Sequence, residues 1–184
     1  MREDLVDAFN LFTKESFFKP ELTDYRHLVL IPDQNCQPLP WESLPILRDL
    51  PVSRVTSYAM LEACLRNVPD IKKEHSFMIL NPSGDLIRTQ KRFENIIEGS
   101  WTSIIGKTPS QKEFMKGLAD NALFMYFGHG GGESYLSQHS LPKLGSVPVA
   151  LLFGCSSGRL KPHGQFNSTG IAIDYLQAGR FYNF

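Results

Sequence analysis

Two short segments hold residue types that do chemistry together. One reads Gly128-His129-Gly130-Gly131-Gly132-Glu133 and the other Gly154-Cys155-Ser156-Ser157-Gly158. A cysteine attacks a carbonyl carbon as its thiolate, and a neighbouring histidine takes the thiol proton and later delivers it to the leaving amine. The pair reads as a nucleophile, Cys155, with an acid–base partner, His129, which is the chemistry of a cysteine peptidase. The flanking glycines let the backbone turn sharply and approach a substrate main chain with no Cβ in the way. Backbone N–H groups at Gly130 and Cys155 could together form an oxyanion hole.

Each segment alone has a plainer reading. A free cysteine at a strand end is usually a small buried hydrophobe. A glycine cluster after a strand can bind phosphate at a helix N-terminus, although neither G-x-x-x-x-G-K-[ST] nor G-x-G-x-x-G occurs here. The pairing of the two segments favours the catalytic reading. His27, His75 and His139 lack such a setting, and His163, in a Pro/Gly-rich stretch after the cysteine, is the one rival to His129. Cys36 lies in a polar loop and Cys64 in a helical pattern, so neither is expected to be catalytic. Three cysteines without C-x-x-C spacing predict neither a zinc site nor a disulfide framework, and free thiols fit an intracellular setting.

The elements that must position this pair are short apolar runs. His27 to Ile31, Ser76 to Leu80, Leu123 to Phe127 and Val149 to Phe153 are nearly continuous in hydrophobicity and end at Pro32, Asn81-Pro82, Gly128 and Gly154. Continuous runs suit strands buried on both faces of a parallel sheet. Helical spacing appears between them. Tyr58, Leu61 and Leu65 share a face in 57–66, and Leu86, Phe93 and Ile97 in 86–97. Ser110 with Glu113 makes a capping box ahead of Phe114 and Leu118. An N-terminal helix with Leu5, Val6, Phe9 and Phe12 and a last helix from about Gly170 to Ala178, stopped by Gly179, complete the pattern. Strand–helix alternation predicts an α/β sandwich with a mostly parallel central sheet flanked by helices. Sites in such sheets form beyond the carboxyl ends of the strands, where His129 and Cys155 fall.

The composition excludes other classes. The chain has 184 residues, 42% hydrophobic and 21% charged, the size and make-up of one globular domain. Lys plus Arg equals Asp plus Glu at 19 each, so no basic face points to direct nucleic-acid binding. No apolar run has the length of a membrane span, and the acidic start Met1-Arg2-Glu3-Asp4 lacks a signal-peptide core.

Several motifs resemble the protease domain of the separase family, which are caspase-like cysteine endopeptidases. Leu28-Val29-Leu30-Ile31-Pro32-Asp33 leading to Leu39-Pro40-Trp41-Glu42-Ser43-Leu44-Pro45 is similar to the family's first strand and its Leu-Pro-Trp-Glu segment. Leu50-Pro51-Val52-Ser53-Arg54 resembles the family's next segment, and Ile79-Leu80-Asn81-Pro82 its strand-ending Leu-Asn-Pro. Tyr126-Phe127-Gly128-His129-Gly130 with Gly132-Glu133-Ser134-Tyr135 resembles the histidine motif, and Leu151-Leu152-Phe153-Gly154-Cys155-Ser156-Ser157-Gly158 the cysteine motif. His163-Gly164, Thr169-Gly170 and Tyr175-Leu176-Gln177-Ala178-Gly179 continue in register. The Leu-Pro-Trp-Glu segment is shared with caspase-like domains attached to helical repeats, whereas the residues flanking Cys155 point to separases.

The resemblance implies a caspase-like sandwich over residues 1–184, incomplete at its C-terminal end, with His129 and Cys155 as catalytic dyad and no metal or organic cofactor. It implies cleavage of the kleisin subunit of cohesin after arginine, usually in a Glu-x-x-Arg context, to release sister chromatids at anaphase. Securin would be an inhibitory pseudosubstrate, and the setting cytoplasm and nucleus. In the family an Asn-Leu-Trp-Asp-Val-Thr-Asp segment after the last helix supplies the acid that receives the substrate arginine. Here the sequence runs Arg180-Phe181-Tyr182-Asn183-Phe184. The expectation is a chain that cleaves cohesin poorly. The alternative is a shortened, inactive copy that binds securin or substrate without turnover.

Overall fold

Side chains of a strand alternate between the two faces of its sheet, so a strand covered on both faces is apolar at every position. The computed structural model describes residues 27–66, 75–96, 101–136, 141, 144, 148–164 and 166–178. It divides into two units, Met1–Tyr58 and Ala59–Phe184. The proposed N-terminal helix and Gly179 lie outside the described residues.

In the first unit β1 (Leu28–Leu30) pairs in parallel with β2 (Val52–Arg54), with Leu28 opposite Val52 and Leu30 opposite Arg54. Their connection holds a 3-10 turn, Trp41–Ser43. The Trp41 indole donates to the Cys36 carbonyl at 2.8 Å. The Arg54 guanidinium donates to the carbonyls of Gln37 and Leu39 at 2.7 and 2.9 Å and pairs with Glu42 at 2.5 Å. Leu44 and Leu47 of the connection are buried. The Leu-Pro-Trp-Glu segment here knits a crossover together.

The second unit is built on four parallel strands, β3 (Ser76–Leu80), β4 (Thr102–Ile105), β5 (Leu123–Phe127) and β6 (Val149–Phe153), in the order β4-β3-β5-β6. One face carries Phe77, Ile79, Phe124 and Tyr126, packed with Phe114 and Leu118 of α3 (Gln111–Ala119) and with Tyr175 and Ala178 of α4 (Ile171–Ala178). The other carries Met78, Leu80, Met125 and Phe127, against Trp101 and against Phe93 of α2 (Ile87–Phe93). Helices on both faces of a parallel sheet make the α/β sandwich that the apolar runs predict. The remaining helix, α1 (Tyr58–Arg66), begins on the last residue of the first unit.

Five local readings change. Of the four apolar runs expected to be strands buried on both faces, β3 and β5 are buried almost throughout. By contrast, β1 is half-buried in its own two-stranded sheet, and edge strand β6 leaves Leu151 and Phe153 39% and 53% exposed. In α1 the buried side chain is Met60, while Tyr58 and Leu65 are 71% and 66% exposed, so the spacing gave the helix but not its inner face. The helix at Leu86 stops at Phe93, tightens into a 3-10 turn over Glu94–Ile96, and leaves Ile97 outside the described residues. Strand β4 carries no continuous apolar run. As an edge strand it buries only Ile104 and exposes Thr102. The Pro/Gly-rich stretch after the cysteine forms an antiparallel hairpin, β7 (Lys161–His163) with β8 (Phe166–Thr169). His163 lies in β7, and its side chain falls outside the described residues. Among the described residues no helix is long and apolar enough to cross a membrane.

Candidate active site

Strands β5 and β6 run in register, with Phe127 opposite Phe153 and the two rings stacked 4.5 Å apart. His129 and Cys155 each follow that last matched pair by two residues. They therefore leave neighbouring parallel strands at the same carboxyl edge. The loops touch through their backbones. A Cβ built on Gly154 would lie 1.9 Å from the Gly130 carbonyl oxygen and 2.7 Å from that of Gly128. Only glycine fits there, and its hydrogen lets the cysteine loop press against the histidine loop.

The histidine loop is braced from the core. The buried Tyr126 hydroxyl donates to the His129 carbonyl at 2.8 Å, and the Tyr175 hydroxyl of α4 donates to the Gly131 carbonyl at 3.1 Å. Burial, helped by Glu133 and by neighbouring phenols, raises both hydroxyls above the ordinary tyrosine range. They therefore stay donors. The Glu133 carboxylate accepts from the Gly131 N–H at 2.6 Å. Gly132, at φ +90°, sits where a Cβ would meet the Phe114 ring at 2.5 Å. The glycine run is thus packed against Phe114 and hydrogen-bonded by Tyr126, Tyr175 and Glu133.

A third loop reaches the same edge. At the end of β3, Asn81 is fully buried in the left-handed region at φ +53°. Its N–H donates to the Phe127 carbonyl at 2.8 Å, its side-chain oxygen accepts from Leu86 N–H at 2.8 Å, and its amide donates to Gln90 Oε1 at 2.9 Å. Those bonds shape the turn that carries Asp85. Asp85 Oδ2 lies 2.7 Å from His129 Nε2, and that hydrogen bond holds the Asp85 carboxyl below the usual carboxylate range. Both side chains are more than half exposed, at 56% and 57%. Asp85 is the site residue that sequence reasoning missed. The available signal was its place just beyond the Leu80-Asn81-Pro82 strand end.

Cys155 sits on a tight turn. The Ser157 N–H donates to the Gly154 carbonyl at 3.1 Å, and Ser156 has φ +69°, the third-position geometry of a type II turn. Cys155, second in the turn, is exposed. No hydrogen bond engages the backbone N–H of Gly130 or Cys155 among the described residues. Cys36 is half-buried in the first unit and Cys64 is exposed on α1. Among the described residues no three of His, Cys, Asp and Glu gather as metal ligands would.

Comparison with known proteins places the chain in a family. A family profile described as "Separin, protease domain" matches residues 1–182. The chain is 40% identical over 184 residues to separin of Schizosaccharomyces pombe, matching 96% of this chain and 10% of that protein. It is 38% identical over 165 residues to mouse separin, matching 84% of this chain and 8% of that one. A crystal structure of the Saccharomyces cerevisiae separase–securin complex superimposes with a TM-score of 0.76 at 34% identity, covering 83% of this chain and 11% of the yeast chain. The chain spans about a tenth of the length of the relatives it matches.

Proposed function

The chain belongs to the separin protease-domain family, and we propose that it is a cysteine endopeptidase in which Cys155 is the nucleophile and His129 the acid–base group. The observation that carries this reading is the shared edge: two in-register parallel strands deliver both residues, with Gly154 seated against the histidine loop. In the reaction His129 removes the Cys155 proton and the sulfur bonds to the scissile carbonyl carbon. The imidazolium returns the proton to the amine as the C–N bond breaks, and water then hydrolyses the thioester. The N–H groups of Gly130 and Cys155, unengaged among the described residues, are the donors for the carbonyl oxygen as it gains charge.

Family membership extends the proposal to substrate and partner. The substrate is the cohesin kleisin, cut after arginine in a Glu-x-x-Arg context, with release of sister chromatids as the result. Securin is the inhibitory pseudosubstrate, in line with the securin-bound yeast relative. The setting is cytoplasm and nucleus. One observation favours the second reading, a copy that binds securin or substrate without turnover. Asp85 on the turn after β3 and Glu133 on the histidine loop are both engaged, with His129 and with the Gly131 N–H, whereas a substrate guanidinium wants a carboxylate free for a bidentate contact.

An acyloxymethyl ketone peptide ending in arginine separates the readings. A competent site becomes labelled at Cys155, labelling vanishes in Cys155→Ser, and it slows roughly 10²-fold or more in His129→Ala. An unlabelled but folded wild-type chain that still binds securin would establish the second reading.

A further inference from the structure

Resting on that reading, we infer that Asp85 is the positioning residue of His129, holding Nε2 so that Nδ1 is the nitrogen that serves Cys155. An imidazole has two nitrogens, and the partner of one decides the role of the other. The Nε2···Oδ2 distance of 2.7 Å is that of a short, charge-assisted bond. An ionised carboxylate can only accept, and the depressed Asp85 carboxyl is ionised at neutral pH. Nε2 therefore carries the hydrogen. In the neutral ring Nδ1 is left as the bare, basic nitrogen, the one able to take a proton from a thiol. Once it has done so, the imidazolium keeps a carboxylate at its far side.

The way the molecule holds Asp85 argues against an incidental surface pair. Exposed ion pairs add little to stability, so stability alone gives no reason for an elaborate support. Yet the turn carrying Asp85 is built on a fully buried asparagine in the left-handed region, bonded to Phe127, Leu86 and Gln90. Thr108 Oγ1 donates to the Pro82 carbonyl at 3.2 Å and steadies the same turn from the β4 side. Ser83 Oγ and the Tyr135 hydroxyl, 3.3 Å apart, link that turn to the histidine loop a second time. The Asn81 N–H bonds the carbonyl of Phe127, two residues before His129. The turn and the histidine are thus referenced to one strand end, which fixes the carboxylate relative to the ring.

The test uses the whole chain as wild type, Asp85→Ala, Asp85→Asn and Asp85→Glu, with two readouts. The first is the saturation kinetics of Cys155 labelling by the arginine acyloxymethyl ketone. The second is the ¹⁵N spectrum of the His129 ring, assigned by difference from His129→Gln. The expected wild-type ring is the Nε2–H tautomer. In Asp85→Ala the ring becomes a tautomer mixture, and the maximal labelling rate falls about 10–100-fold with the half-saturating probe concentration changed less than about two-fold. Asp85→Asn keeps the side-chain volume but not the anionic acceptor, and loses rate as well, while Asp85→Glu restores part of it. Unchanged tautomer and rate in folded Asp85→Ala and Asp85→Asn would overturn the assignment. Absence of wild-type labelling together with the tautomer change would remove the peptidase reading and leave the positioning role standing.

Discussion

The histidine and cysteine loops at the proposed active edge are held by different means. The histidine loop is fixed from below and behind. Tyr126 and Tyr175 bond its carbonyls from the core, Glu133 caps it, and Phe114 closes the space beside Gly132. The cysteine loop is fixed mostly by itself. It has two turn hydrogen bonds, Ser157 N–H to the Gly154 carbonyl and Arg159 N–H to the Ser156 carbonyl, and the Ser157 hydroxyl on the Leu152 carbonyl at 3.4 Å. A positive φ at Ser156 and the bare Cα of Gly154 against its neighbour complete it. On the proposed chemistry an imidazole must present a chosen nitrogen in a chosen direction, and its loop is anchored at several points. A thiol is a single atom that must protrude, and a tight turn on an exposed strand end is enough.

The point where the loops meet should be the least tolerant. Gly154→Ala drives a methyl group into two backbone carbonyls, which have no side-chain freedom to yield. The expected loss exceeds about 3 kcal/mol, readable as a fall in the thermal midpoint and loss of Cys155 labelling. A chain unchanged in both would show that the loops do not touch as described.

Removing a brace comes next. Tyr175→Phe leaves the Gly131 carbonyl without its donor and should cost about 1–2 kcal/mol, with labelling slowed because the loop is less defined. The pH dependence has a definite sign. Both phenols are raised in the folded chain, so the folded state holds their protons more tightly than the unfolded state. Their contribution is complete at neutral pH and is lost as pH climbs past the unfolded tyrosine value of about 10. Denaturation midpoints should drop above that pH in the wild type and drop less steeply in Tyr175→Phe. Equal slopes would remove the brace.

Smaller effects sharpen the contrast on the cysteine side. Ser156→Gly relieves a left-handed residue but loosens the unfolded chain, so a net gain of about 0.5 kcal/mol is expected, with labelling retained. A clear loss of stability would mean the Ser156 side chain has a role beyond the turn. Cys36→Ser and Cys64→Ser should leave labelling at Cys155 unchanged. Loss of labelling in either folded variant would reveal a second functional thiol.

How far each feature could be read in advance depends on how local its signal is. Central strands β3 and β5 announced themselves as continuous apolar runs, because a strand covered on both faces has no polar position. Strand β6 shows the same kind of run at the sheet edge, although its Leu151 and Phe153 are exposed, so the run marked the strand and not its burial. The Ser110–Glu113 capping box forms as spelled, since all its partners lie within one turn. Edge strand β4, half-exposed and interrupted by Thr102 and Ser103, had no such pattern to show. The inner face of α1 was misread because Tyr58, Leu61 and Leu65 are spaced correctly for a stripe, while the element packed beside a helix chooses the side that is buried. The place of Asp85 just beyond a strand end was legible but its partner was not, for a stronger reason: 44 residues separate it from His129, and nothing in Ser83-Gly84-Asp85 says which ring it meets.

By itself, then, the sequence determined the strands, the glycine-flanked histidine and cysteine at their ends, and the family those motifs belong to. Each is a matter of residue type over a few neighbouring positions. The tertiary structure alone decided the strand order, the in-register pairing of β5 with β6, the contact of Gly154 with the histidine loop and the bond from Asp85 to Nε2. Those depend on which segments pack side by side, and packing is settled by the joint burial of Phe77, Phe114, Phe124 and Tyr126, a property of no single stretch of chain.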